Sequence, residues 1–489
     1  MVSLQSEENP DTPTASVPVL PDYRVTSLIV GCAIFLEQMD GTVLATALPT
    51  MARDFHVSAP AMSVAVTSYL LALAILIPVS GAMSDRFGAK RVFNSSIVVF
   101  IIGSILCSLT KTLPMMVAAR LLQGTGGAMM APVGRLVILR TVERRHLVSS
   151  MMWTLIPAIL GTMAGPPLGG FIVEYFDWRW IFYINVPIGV LGYWLVRRYI
   201  PVVGCLTKPA RFDWLGFALC SVGLSCSLFG LELFGQNTDM RNAMLLVAIG
   251  AAGCLAYVWH ARRCANPAVD LTLLRIDSFR LSVISGSLMR ITQGAQPFLL
   301  PLLLQIGLGF SALRSGQLIL AISLGALLAR VLTTRILRRI GFRRAMVYNG
   351  VLASMSYAIC AFFQADWPFW LMFGLLTCCG IVMSFQFAAY NTIAYEAVPT
   401  DRMSAANSFY STLQQLMLSV GVCCGALILK LAMAASHNTE PSRLNFSVAF
   451  LIVTLISLSS TRWHRAFAPD AGHEMSGHRR SGSTAEGSH

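Results

Sequence analysis

Charge is what this chain has least of. Asp, Glu, Lys and Arg make up only 12% of its 489 residues, about half of the roughly 25% found in soluble domains. So little surface-forming charge excludes a soluble multidomain enzyme and a nucleic-acid binder, and a 55% hydrophobic content excludes a disordered chain. No Gly-x-x-x-x-Gly-Lys-Ser/Thr run is present, so nothing cradles the phosphates of ATP. None of the twelve cysteines has zinc-ligand spacing; Cys378-Cys379 and Cys423-Cys424 are adjacent pairs in apolar runs, where free cysteine packs as a small hydrophobe. His464 and His473 stand near or within the tail and are read as no metal site. No nucleophile–base constellation appears, so the chain reads as a non-enzyme with neither cofactor nor metal. Residues 1–22 are polar, carry Glu7, Glu8 and Asp11, and lack the basic start of a cleavable signal peptide.

What the chain has in abundance is long apolar runs. A membrane-spanning helix needs about 20 mostly apolar residues. Fourteen runs qualify: 24–45, 62–83, 92–110, 113–135, 148–173, 179–199, 213–234, 242–262, 281–305, 314–335, 343–364, 367–394, 403–434 and 444–463. None alternates with the period of two that a barrel strand requires, and backbone in lipid must pair internally, so the runs predict helices. With fourteen crossings both ends lie on one side. That side then holds about 25 of the 36 Lys and Arg and the opposite side six, with Arg120, Arg135, Arg290, Arg330 and Lys430 within or near helices. Cations gather on the cytoplasmic side, so both termini are expected in the cytoplasm of a multi-pass protein of the cytoplasmic membrane. The net charge of +13 needs no nucleic acid to explain it.

The chain also repeats itself. Asp85-Arg86-Phe87-Gly88-Ala89-Lys90-Arg91 follows the second run, and Arg338-Arg339-Ile340-Gly341-Phe342-Arg343-Arg344 follows the tenth, an offset of 253. Arg120-Leu121-Leu122-Gln123-Gly124-Thr125-Gly126 aligns with Gly374-Leu375-Leu376-Thr377-Cys378-Cys379-Gly380 at an offset of 254. Two parallel six-helix bundles follow, with two extra helices between them. The expected division is a cytoplasmic tail at 1–23, a first bundle at 24–200, an inserted pair at 201–265, a second bundle at 266–466 and a disordered tail at 467–489. Transporters built from such repeats hold their substrate at the repeat interface near the membrane midplane.

The motifs resemble those of the major facilitator superfamily. Gly81-Ala82-Met83-Ser84-Asp85-Arg86-Phe87-Gly88-Ala89-Lys90-Arg91 looks like its loop after helix 2. Arg120 with Gln123-Gly124 resembles its helix-4 motif. Gly161 with Gly165-Pro166-Pro167-Leu168-Gly169-Gly170 resembles the helix-5 motif of its antiporters. Leu36-Glu37-Gln38-Met39-Asp40-Gly41-Thr42 and Trp178-Arg179-Trp180-Ile181-Phe182-Tyr183-Ile184-Asn185-Val186-Pro187 resemble the fourteen-span drug:proton antiporter branch, the EmrB/QacA type, closest to its MdtD-like multidrug exporters.

The resemblance implies a proton-coupled antiporter that exports amphipathic organic compounds by alternating access and is driven by the proton gradient. Glu37 and Asp40 are three residues apart and share a helix face. A carboxyl group at membrane depth is costly as the anion, so it binds and releases protons readily; the resemblance makes Asp40 the coupling acid, with Glu37 beside it and protons entering from outside. Arg120 keeps its proton and tunes an acid nearby. Gly81, Asp85, Arg86, Gly88, Lys90 and Arg91 are expected to latch one conformation by pairing with the other bundle, Gly81 and Gly88 allowing close approach and a tight turn. Arg338 stands where the second copy would have an acid, which makes the latch one-sided. Gly161, Gly165, Pro166, Pro167, Gly169 and Gly170 predict a kinked, tightly packed helix. Met129, Met130, Trp153, Arg290, Gln293, Phe298, Phe385, Phe387, Tyr390 and Asn391 are candidates for a plastic apolar cavity. Small-molecule substrate, protons and bilayer are the expected partners, and an EmrB-type relative also works with a periplasmic adaptor, for which no site is marked here. The rival reading is a symporter or uniporter of a defined metabolite such as an organic acid, bound through Arg120 and Arg290.

Overall fold

The computed structural model describes residues 22–143, 146–201, 212–236, 240–264, 267–340, 342–399, 402–437 and 440–464. The expected C-terminal tail, nearly all of the N-terminal one, Arg144, Arg145, Lys208, Arg211 and Gly341 of the repeated loop lie outside those residues.

Among the described residues the chain is all helix and loop. The helices are α1 (Tyr23–Asp54), α2 (Val64–Phe87), α3 (Ala89–Ser108), α4 (Leu113–Thr141), α5 (Leu147–Tyr175), α6 (Trp180–Tyr183), α7 (Asn185–Tyr199), α8 (Trp214–Gln236), α9 (Met240–Ala261), α10 (Asp277–Leu302), α11 (Ala312–Ile340), α12 (Phe342–Ala361), α13 (Phe369–Ile393), α14 (Met403–Ala435) and α15 (Arg443–His464). α6 and α7 form one crossing broken at Ile184, so the fourteen expected runs each fall on one crossing. Eleven are long and apolar enough to cross a membrane on length and composition alone. α4, α10 and α12 are not among them; α4 and α10 carry the buried Arg120 and Arg290, which dilute their hydropathy.

In the first bundle α1 packs along α5, and α4 along α2 and α3. The second repeats the pattern with α10 along α14, α11 along α13 and α12 along α15. α8 and α9 form a hairpin whose α8 lies against α14 and α2. The bundles meet along two seams, α5 with α11 and α2 with α14. Small residues permit these approaches. A methyl group at Gly126 of α4 would stand 2.6 Å from the Ser96 carbonyl oxygen of α3, so only glycine fits there. Gly88 takes φ 87° and closes α2 before α3 opens, a backbone conformation that favours glycine.

The end of the molecule where α1 begins and α15 finishes is here the terminal end, and the opposite one the distal end. At the distal end one apolar cluster spans the seam, beside a cavity of about 590 Å³: Val43, Leu44, Ala47 and Phe182 of the first bundle pack with Phe298, Leu302 and Phe446 of the second. Toward the terminal end the core divides. Val30, Phe93, Val133 and Val137 belong to the first bundle alone, while Met289, Phe385 and Tyr390, and separately Phe279 and Tyr410, belong to the second. Hydrogen bonds also join bundle to bundle. Gln305 donates to the Thr46 carbonyl (3.0 Å), Ala312 N–H to Glu174 (3.1 Å), Ser323 to the Thr162 carbonyl (3.4 Å) and Ser419 to the Thr67 carbonyl (3.2 Å). These sit in the middle or distal part of their helices.

Two ionic fasteners hold the ends. At the distal end Arg179 pairs with Asp54 (3.0 Å) and lies 4.3 Å over the Trp178 ring, whose indole N–H also donates to Asp54. This ties α1 to α6 and gives the Trp178-Arg179 motif its physical sense. At the terminal end Arg402 at the head of α14 pairs with Asp270 (2.5 Å), ahead of α10. Burial opposes ionisation of Asp270, but hydrogen bonds from Thr272 and Arg402 outweigh it and hold the carboxyl below its usual range.

Candidate functional site

Four elements of the first bundle converge on one carboxylate and its partners. Asp40 of α1 is 1% exposed and accepts three hydrogen bonds: from Arg120 Nη1 of α4 at 2.7 Å, from Gln123 Nε2 of α4 at 2.8 Å and from Asn185 Nδ2 of α7 at 3.0 Å. Arg120 and Gln123 lie one turn apart on α4, which is why they reach the same group. Arg120 makes further contacts. Its Nε donates to the Ala65 carbonyl of α2 (3.0 Å), its Nη1 also reaches Gln123 Oε1 (2.6 Å), and its guanidinium lies 4.3 Å from the Tyr69 ring. Ser104 of α3 accepts from Gln123 (2.8 Å) and closes the network.

The pairing of Asp40 with Arg120 joins two residues that the sequence singled out. Asp40 is buried inside the first bundle. The donors that satisfy it come from helices of its own bundle.

Glu37 occupies the more open position. It is half-buried, one turn before Asp40, and its Oε2 is buried with no hydrogen-bond partner among the described residues. Arg135 of α4, an exposed residue, is the cation in its electrostatic reach. Arg135 also reaches Tyr395 of the second bundle, which places Glu37 and Arg135 beside the seam where the core is divided. Tyr69 lies within reach of Glu37, Asp40 and Arg120 alike. Both acids of α1 thus lie within electrostatic reach of one buried tyrosine, Glu37 half-buried and Asp40 closed within the bundle.

The loop after α2 is held inside its own bundle. Asp85 pairs with Arg140 of α4 at 2.6 Å, and Lys90 donates to the carbonyls of Arg197 (3.2 Å) and Ile200 at the end of α7. The expected cross-bundle pairing of Asp85, Arg86, Lys90 and Arg91 is not formed among the described residues; with the core divided at this end, the groups of the other bundle stand out of range. Gly88 makes the expected turn, whereas Gly81 has nothing within 4 Å of where a methyl would stand and allows no close approach.

α5 stays helical from Leu147 to Tyr175 through Pro157, Pro166 and Pro167. Its glycines form two faces. Gly161, Gly165 and Gly169 recur every fourth residue and rest on Phe35, Thr42 with Met39, and Thr46 with Val43 of α1. Gly170 rests on Ala312 of the other bundle, and Gly316 of α11 rests on Pro166. The motif therefore fastens α5 to α1 on one side and forms the seam on the other.

The cavity candidates scatter. Met130 and Phe298 are core residues, the first within its bundle and the second in the distal cluster. Met129 lines a side cavity of about 490 Å³ with Phe87, Arg91 and Val99, between α2, α3 and α4 and away from the seam. Trp153 stands beside Arg24 at the terminal end. Phe385 and Tyr390 pack with Met289, and Asn391 donates to its own helix at Phe387. Arg290 is buried beside Tyr410 (4.3 Å) and Phe387 (5.9 Å), with Gln414 Oε1 3.3 Å from its Nη2. Gln293 is half-buried one turn on.

Several residues escaped the reading of the sequence. Asn185 and Ser104 complete the Asp40 network; neutral polar residues are common in apolar runs, and only the Asn185 stretch carried a signal. His464, read as near the tail, is fully buried at the end of α15, within hydrogen-bond reach of Tyr390 and Gln386. Glu232, the one acid of α8 and 7% exposed, accepts from Ser63 ahead of α2 and from Cys423 of α14 (Sγ–Oε2 2.9 Å). A lone acid in an apolar run was the available signal for Glu232. Asp213, His260 and Cys264 also lie close together, but Asp213 is already hydrogen-bonded to His260 (2.8 Å) and caps α8 through Gly216 N–H (2.8 Å).

Two parallel bundles meeting at a seam, with ionisable groups buried beside it, define a membrane transporter and not an enzyme. The chain belongs to the Major Facilitator Superfamily, whose family model matches residues 30–422. Among curated relatives, the "Putative multidrug resistance protein MdtD" of Cronobacter sakazakii is 36% identical over 417 residues, covering 84% of this chain and 86% of that one. Its namesake in Klebsiella pneumoniae is 36% identical over 82% of this chain and 85% of its own length. Among solved structures a D-xylose–proton symporter superposes with a TM-score of 0.64 at 15% identity, covering 91% of this chain and 98% of that one. The nucleoside transporter NupG gives 0.60 at 16%, covering 90% and 98%. At such identities these two establish the fold alone.

Proposed function

We propose that the protein is a proton-coupled antiporter that exports amphipathic organic compounds across the cytoplasmic membrane. The observation that carries this reading is the pair of α1 acids, Asp40 locked to Arg120 and Glu37 half-buried with no hydrogen-bond partner for its Oε2 among the described residues. In this scheme the bundles stand closed at the distal end and apart at the terminal end, which the bias of Lys and Arg assigns to the cytoplasm. Substrate enters from the cytoplasm between the bundles. Glu37 exchanges its proton with the seam, because its buried Oε2 has no hydrogen-bond partner among the described residues to favour the charged form. Asp40–Arg120 holds α1, α2, α4 and α7 together and senses the charge on Glu37 through Tyr69. The multidrug resistance naming of the relatives, at 36% identity over most of the chain, supports the substrate class.

The test is Glu37→Gln in proteoliposomes with an imposed pH gradient, using a panel of amphipathic fluorescent compounds. Gradient-driven export is expected to fall at least tenfold, while the melting temperature and gradient-independent exchange persist. Undiminished gradient-driven export by E37Q would remove Glu37 from the coupling step.

A further inference from the structure

Among the described residues two arginines are buried in the bundles, and one of them is neutralised. Arg120 is 1% exposed and paired with Asp40. Arg290, 2% exposed in α10, has no ion pair among the described residues; its Nε and Nη1 have no hydrogen-bond partner there, and its Nη2 reaches the neutral amide of Gln414 at 3.3 Å. The titratable groups in its electrostatic reach are the phenols of Tyr390 and Tyr410 on α13 and α14, and of Tyr395 just beyond α13. Aromatic faces compensate a cation only in part. A guanidinium cannot shed its proton to escape the cost of burial. An Arg kept in this state is short of one anion.

The surroundings say what kind of anion. The fork is free on its Nε and Nη1, the donors that take the oxygens of a carboxylate or sulfonate. A methyl at Gly286 would stand 2.9 Å from Nη1, so glycine there is what lets the fork lie against α10's own backbone. Tyr410 and Phe387 supply flat apolar faces next to the charge. Tyr395 lies within reach of both Arg290 and Arg135 of the first bundle, which sets this arginine near the seam at the end where the core is divided.

We propose that Arg290 binds the acidic group of the transported compound, which is an amphipathic oxyanion with an aromatic or aliphatic body held between Tyr410 and Phe387. The proposal rests on the seam being the transport passage; it does not rest on proton coupling. The experiment therefore uses equilibrium binding with no pH gradient, in nanodiscs of purely zwitterionic lipid so that no anionic headgroup competes. Fluorescein, a carboxylate, and rhodamine 6G, a cation on the same xanthene core, are the probes, followed by fluorescence anisotropy. Wild type is expected to bind fluorescein at least tenfold tighter than rhodamine 6G. R290Q is expected to lose that preference and R290K to keep part of it, with the charge retained and the fork gone. The melting temperature of R290Q should equal or exceed that of wild type, since a charge without a counter-ion has been removed. Unchanged fluorescein binding by R290Q, failure of wild type to take up fluorescein, or a sharp fall in R290Q stability would each overturn the assignment.

Discussion

Asp40 and Arg120 neutralise each other inside the first bundle. Removing one partner of a buried pair typically costs roughly 3–5 kcal/mol, whereas removing both costs far less. Asp40→Asn is accordingly expected to lower the melting temperature and the yield of monodisperse protein, with Arg120→Gln added to it recovering part of the loss. A D40N protein as stable as wild type would show that Asp40 is not the anchor of the network. At this scale the charged members were legible, because an acid or an arginine stands out in an apolar run. Their partners were not: Asn185 meets Asp40 across 145 positions of sequence, and no local pattern records such a meeting. Nor could the sequence say which of Glu37 and Asp40 faces the seam. Three residues of spacing put them on one helix face, and the choice was made by Asn185 and Gln123 from other helices.

α5 shows what a motif does as an element. Its glycines read as a helix that packs closely, and they do, but the sequence did not separate the row that faces α1 from the position that faces the other bundle. Gly165→Ala would press a methyl against Thr42, and Gly170→Ala would press one against the Ala312 carbonyl; overpacking of this kind costs about 1–3 kcal/mol. The first is expected to destabilise the first bundle and the second to loosen the seam, seen as faster hydrogen–deuterium exchange at 168–175 and 310–318. Equal exchange there in G170A and wild type would contradict the division of faces. The junction between hairpin and second bundle carries its own prediction. Asp270 is held below the ordinary carboxylate range, so its pairing with Arg402 stabilises the fold above about pH 4 and is lost as pH falls through the lowered value. Both partners are partly exposed, which limits the gain to about 1 kcal/mol or less. Thermal melts of wild type and D270N should therefore differ slightly at pH 7 and converge in acid.

For the molecule as a whole, the number of crossings and the twofold repeat were plain in the sequence, because the apolar runs and the two copies of the Arg/Lys loop are local patterns. The state of the seam was not. It depends on Val43 and Leu44 of the first bundle meeting Phe298 and Leu302 of the second, a question of assembly and not of periodicity. The function of the inserted pair was equally hidden. Glu232 of α8 receives a hydrogen bond from each bundle, from Ser63 and from Cys423. Glu232→Gln weakens both, and is expected to raise exchange at 60–67 and 418–427 while leaving the terminal end unchanged; identical exchange in the two proteins would show that the contact contributes nothing to closure.

That one carboxylate has a mechanical meaning. Ser63 and Cys423 lie on opposite sides of the seam, so they separate whenever the distal mouth parts, and Glu232 must then let go of at least one of them. Any parting of the distal end would cost the hairpin one of these two hydrogen bonds.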